Sequence, residues 1–416
     1  MRTKETPMPL KPRPRYLDRL ESTRNNGFVK VLTGMRRCGK SSILALYAQQ
    51  LRGQGVPDES IVSINFESFR YEGVRTASDM HALVTAQLPK NTHAYLLLDE
   101  VQFVEGWERA VNGLRVDEDV DIYVTGSNAH MLSGQIATLL SGRQLEIPVH
   151  PLSFSEFISY VDEPGLSPEA AFERYARFGG LPPVVEQGTD EGLASTVLSG
   201  IYSTVFVRDI AQHAQVRNQA VFDDIARYLA DTAGSGVSLA NVERRLAAQH
   251  RKVSVETIER YAQALVDAFL FHRTRRIDLK GSEILQGQAK YYPCDLGMRT
   301  MLLGFGGADY GFVLENVVHN ELVRRGYRVH VGKSDRYEVD FVAERHRPDL
   351  STDRLLVQVT ASMLDPQTRE RELRPLRLMR DAPGAKLVVT LDRMGLGTEE
   401  GGIEVRNALD WLCETW

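Results

Sequence analysis

The stretch Thr33–Ser42, TGMRRCGKSS, decides the fold. Gly34, Gly39, Lys40 and Ser41 fill the spacing GxxxxGK[ST]. Glycines at these places let backbone N–H groups curl around phosphate oxygens. The lysine reaches the outer phosphates and the hydroxyl meets a divalent cation. Spacing alone occurs by chance, so the neighbours must agree with it. FVKVL, Phe28–Leu32, precedes the loop and reads as a buried strand. SILALYAQQLRGQG follows it, with Ile43, Leu44, Tyr47 and Leu51 at helical spacing and a glycine stop. Strand, glycine loop and helix is the order that puts a helix N-terminus against an anion. Contacts to a nucleotide, ATP or ADP, are therefore expected from Gly34, Arg37, Cys38, Gly39, Lys40, Ser41 and Ser42. Arg36 and Arg37 are filler in the spacing, and their side chains are expected to point away from the phosphates, toward an interface.

Three further apolar runs continue the pattern. SIVSINF, Ser60–Phe66, is a second strand. AYLLLDE, Ala94–Glu100, is a third, apolar on both faces as buried parallel strands are, and it ends in two acids. Asp99 would hold Mg²⁺ together with Ser41, and Glu100 would orient and polarise the attacking water. DIYVTGSN, Asp121–Asn128, ends in small polar residues where a γ-phosphate sensor belongs. Ser127 and Asn128 are both candidates, and Asn128 is the one adopted. A helix is expected over about 129–140. Arg143 then stands immediately before a further strand, QLEIPVH.

A chain of 416 residues predicts two or three domains. Its composition, 43% hydrophobic and 25% charged, is that of a soluble globular protein. No apolar run approaches the length needed to span a bilayer, so no membrane association is expected. The basic N-terminus lacks an apolar core, so it does not read as a signal peptide. Cys38, Cys294 and Cys413 are widely spaced and form neither a metal spacing nor a disulfide framework. A cytoplasmic location is the expectation. A net charge of −5 gives no support to a protein that coats nucleic acid and does not exclude a local basic face.

Taken together, VLTGMRRCGKSS, LLLDEVQFVEGWERAV, VTGSNAHML and SGRQLEIPVHPLSFSEF resemble the AAA-type ATP-binding proteins of bacteria and archaea that carry a C-terminal domain of unknown function. That family lies near the AAA+ and STAND branch of P-loop ATPases. RFGGLPPVVE, LENVVHNELVRRGYRVH and YEVDFVAE extend the resemblance over nearly the whole chain. It implies ATP binding and hydrolysis. It further implies that Arg143 reaches the nucleotide of a neighbouring subunit in a homo-oligomer, an ordinary ion pair being the alternative. In FGGLPPVV, Pro182 or Pro183 would pack on adenine, with Pro14 and Tyr16 of the PRPRY segment over the same base. Two other readings of the family resemblance are a STAND-like ADP/ATP switch with little turnover and a DNA-binding adaptor.

From about residue 217 the pattern is helical. Three helices and a two-stranded wing, ending in AKYYPCDLG, read as a winged helix. Residues 217–280 hold eleven basic against eight acidic side chains, so DNA contact and a spacer role both stay open. The last segment runs helix, three strands, helix, strand, an order that resembles the restriction-endonuclease-like fold. Active members hold Mg²⁺ with a helix acid, an Asp after the hairpin and a (D/E)xK triplet. Glu315 and Asp340 fill the first two places, but the third reads Gln358-Val359-Thr360. The missing lysine predicts an inactive domain kept for docking, with Lys333 as the nearest substitute cation and Lys386 less able to reach. The expected architecture is thus an α/β chain with four parts: an AAA+-like P-loop ATPase core (1–155), a helical lid (156–216), a winged-helix domain (217–305) and a degenerate nuclease-like α/β domain (306–416). Its protein partner is not legible.

Overall fold

The computed structural model describes residues 10–127, 142–211, 214–279, 284–285, 288–306, 310–334, 337–347, 349, 351–379 and 383–414. The expected helix at 129–140 and Asn128 lie outside them. The chain divides into two compact units. One holds Met1–His150 with Asp267–Phe269, and the other holds Pro151–Val266 with Leu270–Trp416.

The first unit is a five-stranded sheet with helices. Helix α1 (Pro14–Ser22) leads into β1 (Val29–Thr33), α2 (Lys40–Gly53), β2 (Ile61–Asn65), α3 (Ala77–Thr85), β3 (Ala94–Asp99), α4 (Trp107–Asp117), β4 (Val120–Thr125) and β5 (Gln144–Pro148). The strands stand in the order β2-β3-β4-β1-β5, and every pairing is parallel. β1 and β3 are buried along their whole length, as inner strands of a parallel sheet are. Val29, Val31, Leu96, Leu98 and Val124 meet Met80 and Val84 of α3 and Trp107, Val111 and Leu114 of α4 in one core. Register sets Asn65 beside Asp99, so the ends of β2 and β3 are level.

A lysine interrupts this apolar sheet. Lys30 of β1 is fully buried against Asp121 of β4, with which it forms an ion pair, and it lies 4.9 Å from the centre of the Tyr123 ring. The other Asp121 oxygen accepts from the Tyr123 hydroxyl at 2.6 Å and from the Asn25 backbone N–H at 2.9 Å. Burial pushes the Lys30 ammonium below its ordinary pKa, and Asp121 opposes that shift.

The second unit begins with helices Phe154–Val161 and Pro168–Phe178. The expected lid helices share a core with the C-terminal sheet: Phe154, Phe157 and Phe172 belong to the same buried cluster as Phe341, Val357 and Trp411. In the middle segment, helices Gln219–Asp231, Leu239–Ala248 and Val255–Asp267 accompany a three-stranded antiparallel sheet. Its order is β6 (Gly236–Val237), β9 (Ala289–Pro293), β7 (Phe271–Thr274). A two-stranded wing was expected; β6, two residues long, is too short to show as a pattern. The intervening β8 (Arg276–Asp278) leaves this sheet and pairs in parallel with β10 (Arg328–Lys333). It thereby becomes the rim of a seven-stranded sheet with β11 (Glu338–His346), β12 (Thr352–Thr360), β13 (Ala385–Thr390), β14 (Gly397–Glu399) and β15 (Ile403–Asn407). The order is β14-β15-β13-β12-β11-β10-β8. Among the described residues no helix is long and apolar enough to cross a membrane.

The Lys30–Asp121 pair generates a stability prediction. Asp121→Ala strands a buried ammonium and should destabilise the first unit by about 3–5 kcal/mol. Urea denaturation should recover part of that loss when Lys30→Met is added, because no uncompensated charge then remains.

Candidate functional site

The loop between β1 and α2 takes the backbone that its glycines allow. Gly34 has φ 141° and Gly39 φ 105°, both left-handed. A Cβ on Gly34 would strike the carbonyl oxygen of Val149, so this position admits no side chain. Arg37 is also left-handed, at φ 68°, and its side chain is exposed. α2 begins at Lys40 with Gly39 as its N-cap, and no side chain caps it. Its first-turn N–H groups therefore face outward with the positive end of the helix dipole, ready for an anion. Ser41 is exposed and Ser42 half-buried. The Lys40 ammonium is buried and donates to the carbonyls of Gly34 at 2.8 Å and Met35 at 3.1 Å.

Cys38 is anchored rather than open. Its N–H donates to the Met35 carbonyl, and its thiol donates to the Val149 carbonyl at 3.2 Å. Arg13, buried ahead of α1, donates to the carbonyls of both Cys38 and His150 at 3.0 Å. Arg13 also lies 4.5 Å from the centre of the Tyr16 ring, whose hydroxyl accepts from the His150 N–H. Tyr16, only 3% exposed, offers no open ring face to a base, and Pro14 is exposed at the start of α1. The adenine contact expected of Tyr16 gives way to a strap that ties α1 to the loop and to the exit of β5.

Opposite the loop, β3 ends at Asp99. Its carboxylate is fixed on both oxygens: Thr125 Oγ1 donates to Oδ1 at 2.5 Å, and Asn65 Nδ2 donates to Oδ2 at 2.8 Å. The Thr125 hydroxyl accepts in turn from the Glu100 N–H at 2.9 Å. Glu100 does not continue the strand. It turns into the left-handed region at φ 56°, a costly place for a glutamate, and is buried. Gln102 Nε2 donates to Glu100 Oε2 and lies 3.5 Å from Ser127 Oγ.

The Arg36 side chain corrects the sequence expectation. Far from pointing outward, it is 6% exposed, with Nη1 4.0 Å from Glu100 Oε2 and Nη2 donating to Ser127 Oγ at 3.3 Å. Burial pushes the Glu100 carboxyl above its ordinary pKa; Lys40 and Arg36 pull it down, Asp99 adds to the rise, and the Gln102 hydrogen bond lowers it.

Arg143 sits at the other end of the sheet. Its carbonyl accepts from the Val29 N–H where β1 and β5 begin, and its side chain is exposed. The length of β1, about 13 Å at the usual rise per residue, separates it from the loop of its own subunit.

In the second unit, FGGLPP is built around a carboxylate. Asp295 is buried and accepts from the N–H groups of Gly180 at 2.7 Å and Met298 at 3.0 Å. A Cβ on Gly179 would strike that carboxylate, and one on Gly180 would strike the Leu152 carbonyl. The two glycines thus bring backbone close to Asp295. Pro182 is buried at the start of the short helix Pro182–Val185.

Glu315 and Asp340, the acids for which the sequence predicts a nuclease-like arrangement, also lie in a cluster. Glu315 Oε1 accepts from Lys290 Nζ at 3.1 Å and from the Tyr292 hydroxyl at 2.7 Å. Lys290 also pairs with Glu338 at 3.1 Å. Asp340 accepts from the Val359 N–H, and Gln358 Nε2 donates to Glu372 at 3.0 Å. Burial and the nearby Glu315 push the Asp340 carboxyl up. Burial works against the Lys290 charge, but Glu315, Asp340 and Glu338 outweigh it and hold its pKa above the usual lysine value. Lys333 is exposed, and Lys386 is buried on β13. The cation at these acids is Lys290 of β9, which the sequence placed in the wing.

Comparison with known proteins agrees with the loop and strands. Residues 26–158 match the family model described as "AAA domain", and residues 169–309 match a domain of unknown function, DUF8612. A Haemophilus influenzae protein described as uncharacterized is 38% identical over 405 residues, 97% of this chain and 98% of its own. The chain belongs to this family of AAA-domain P-loop ATPases. A second uncharacterized protein, from Methanocaldococcus jannaschii, is 29% identical over 83% of this chain and 77% of its own. Among solved structures, a Walker-type ATPase of Pyrococcus abyssi superposes with a TM-score of 0.50 at 16% identity, covering 70% of this chain and 95% of that one. That likeness shows the fold. Membership implies nucleotide binding.

Residues missed in the sequence are Asn65, Thr125, Gln102 and Arg13. The first two were findable, since each ends an apolar run level with Asp99. Thr125→Val removes the donor to Asp99 and the acceptor of the Glu100 N–H. Leaving a buried N–H unpaired costs about 1–3 kcal/mol. A lowered thermal midpoint and weaker Mg²⁺ dependence of nucleotide affinity in a fluorescent-nucleotide titration are the expected outcomes.

Proposed function

We propose that this AAA-domain protein binds Mg-ATP and hydrolyses it. The observation that carries the reading is the chain of hydrogen bonds from Asp99 through Thr125 to Glu100, facing a loop with two buried cations. The donor set suits a polyphosphate with a divalent ion: Lys40, the first turn of α2, the exposed Ser41 hydroxyl and an anchored Asp99 carboxylate. Mg²⁺ held by Ser41 and Asp99 would offset charge on the outer phosphates. Lys40 and the N–H groups of Gly39–Ser42 bind those phosphates. Glu100 orients the attacking water and takes its proton, and Asn128 senses the γ-phosphate. Arg143, remote from its own loop, acts on the nucleotide of a second copy.

Lys40→Ala should abolish nucleotide binding. Glu100→Gln should keep Mg-ATP affinity and slow turnover about 10²-fold or more. Mixing Glu100→Gln with Arg143→Ala protein should restore part of the activity, because one of the mixed interfaces then has both groups. Wild-type protein that exchanges ADP for ATP without steady-state turnover would replace the ATPase reading with the ADP/ATP switch.

The second unit serves, in this reading, as the part that nucleotide state repositions. The middle segment is taken as a winged helix in a spacer role. Four of its basic side chains pair with acids: Arg251 with Asp224, Arg245 with Asp231, Arg273 with Glu259 and Arg276 with Glu338. The C-terminal sheet is taken as a nuclease-like fold that does not cut. Lys290 pairs with Glu315 and, beside Arg276, with Glu338, and Thr360, in the place of the missing lysine, donates to the Ser362 carbonyl. No Mg²⁺- or Mn²⁺-dependent cleavage of single- or double-stranded DNA is expected from the purified protein. Cleavage that vanishes in both Asp340→Ala and Lys290→Met would instead make this cluster an active site.

A further inference from the structure

The P-loop carries a second buried cation that the phosphate-binding spacing does not call for. Lys40 is engaged by the loop's own carbonyls, Gly34 and Met35. Arg36, four residues earlier, reaches across to the opposite wall, where it meets Glu100 Oε2 and Ser127 Oγ. Gln102 approaches the same two atoms from the turn that follows β3. The Glu100 carboxylate is therefore gripped from two elements, while its backbone is held in a left-handed conformation by Thr125.

We infer that Arg36 is a positioning residue for ATP hydrolysis, holding the Glu100 carboxylate in its working orientation and coupling it directly to the phosphate-binding loop. The inference rests on the reading of Glu100 as the group that orients water. Three features support it. First, Arg36 is buried, so its charge is poorly screened and its contact with Glu100 is stronger than a surface pair would be. Second, a guanidinium presents several donors in a fixed plane, which allows one side chain to hold Glu100 and Ser127 at once. Third, the loop is short and its backbone is constrained by Gly34 and Gly39, so a shift of the loop moves Arg36 and with it the carboxylate. Other charged groups around Glu100 are Lys40 at the start of α2 and Asp99 at the end of β3. Lys40 is engaged by the loop's own carbonyls, and Asp99 repels. Orientation of the carboxylate thus falls to Arg36 and the Gln102 amide.

Arg36 acts through another residue, so a loss of activity alone does not test it. The experiment is a double-mutant cycle in the full-length protein, with Arg36→Ala, Arg36→Lys, Glu100→Gln and Arg36→Ala/Glu100→Gln. Steady-state turnover is measured beside the affinity for a fluorescent ATP analogue. Arg36→Ala should lower kcat on the order of 10–10²-fold, the range for loss of a preorganised group. Affinity should stay within about threefold, and Arg36→Lys should recover part of kcat. In the Glu100→Gln background the same change should alter kcat less than about twofold, because residues that act as a unit are not additive. Wild-type protein without turnover would defeat the ATPase reading itself. Turnover in the wild type with an additive loss in the double variant, or a loss of affinity as large as the loss of kcat, would overturn the role of Arg36 and leave that reading standing.

Discussion

Arg36, Lys40, Asp99 and Glu100 are each less than a tenth exposed, and they converge on the carboxyl ends of β1 and β3. Water cannot screen charges at that depth, so each must be compensated by a fixed neighbour. The hydroxyl of Thr125 is the joint of that arrangement. It gives its single proton to Asp99 and takes the N–H of Glu100, so one oxygen fixes two adjacent acids in different directions. The strand order makes this possible. β4 lies between β1 and β3, which opens a gap between loop and acids and places Thr125 at its floor.

The second unit meets the same electrostatic problem without a glycine loop. Glu315, Glu338 and Asp340 come together from a helix and from β11, and Lys290 reaches them from β9. A lysine from outside the motif provides the positive charge, and Tyr292 satisfies a further lone pair. Buried ion clusters of this kind contribute little net stability against an apolar alternative, but removing one member is severe. The cluster also ties β9 of the small sheet to the large one, which β8 joins by backbone pairing.

The P-loop and the strands of the first unit are legible because their runs are dominated by apolar and β-branched residues. The runs at Phe28–Leu32, Ser60–Phe66 and Ala94–Glu100 lie within one residue of β1, β2 and β3. The sequence pattern puts Glu100 in a strand because nothing local marks a left-handed glutamate; the hydroxyl that takes its N–H, Thr125, stands twenty-five residues away. Arg36 was misread for a related reason. A motif spacing says what the glycines and lysine do but leaves the filler to tertiary context. Lys290 is not legible as a partner of Glu315, since the sequence pattern places its strand in a different domain. Side-chain direction in a loop and contacts between distant segments are set by packing, which no window of sequence contains.

The rims of the seven-stranded sheet have a consequence for how copies of this chain can meet. Each rim strand, Gly397–Glu399 and Arg276–Asp278, is only three residues long. The second is partly covered, since Ile284 bridges to Ile277 and the Leu285 N–H donates to the Arg276 carbonyl. Short rims, one of them partly covered, offer few open backbone groups to a strand from another molecule. Edge-to-edge extension of this sheet is thereby disfavoured at both ends. A second copy that meets this sheet therefore finds side chains rather than a long open row of backbone groups.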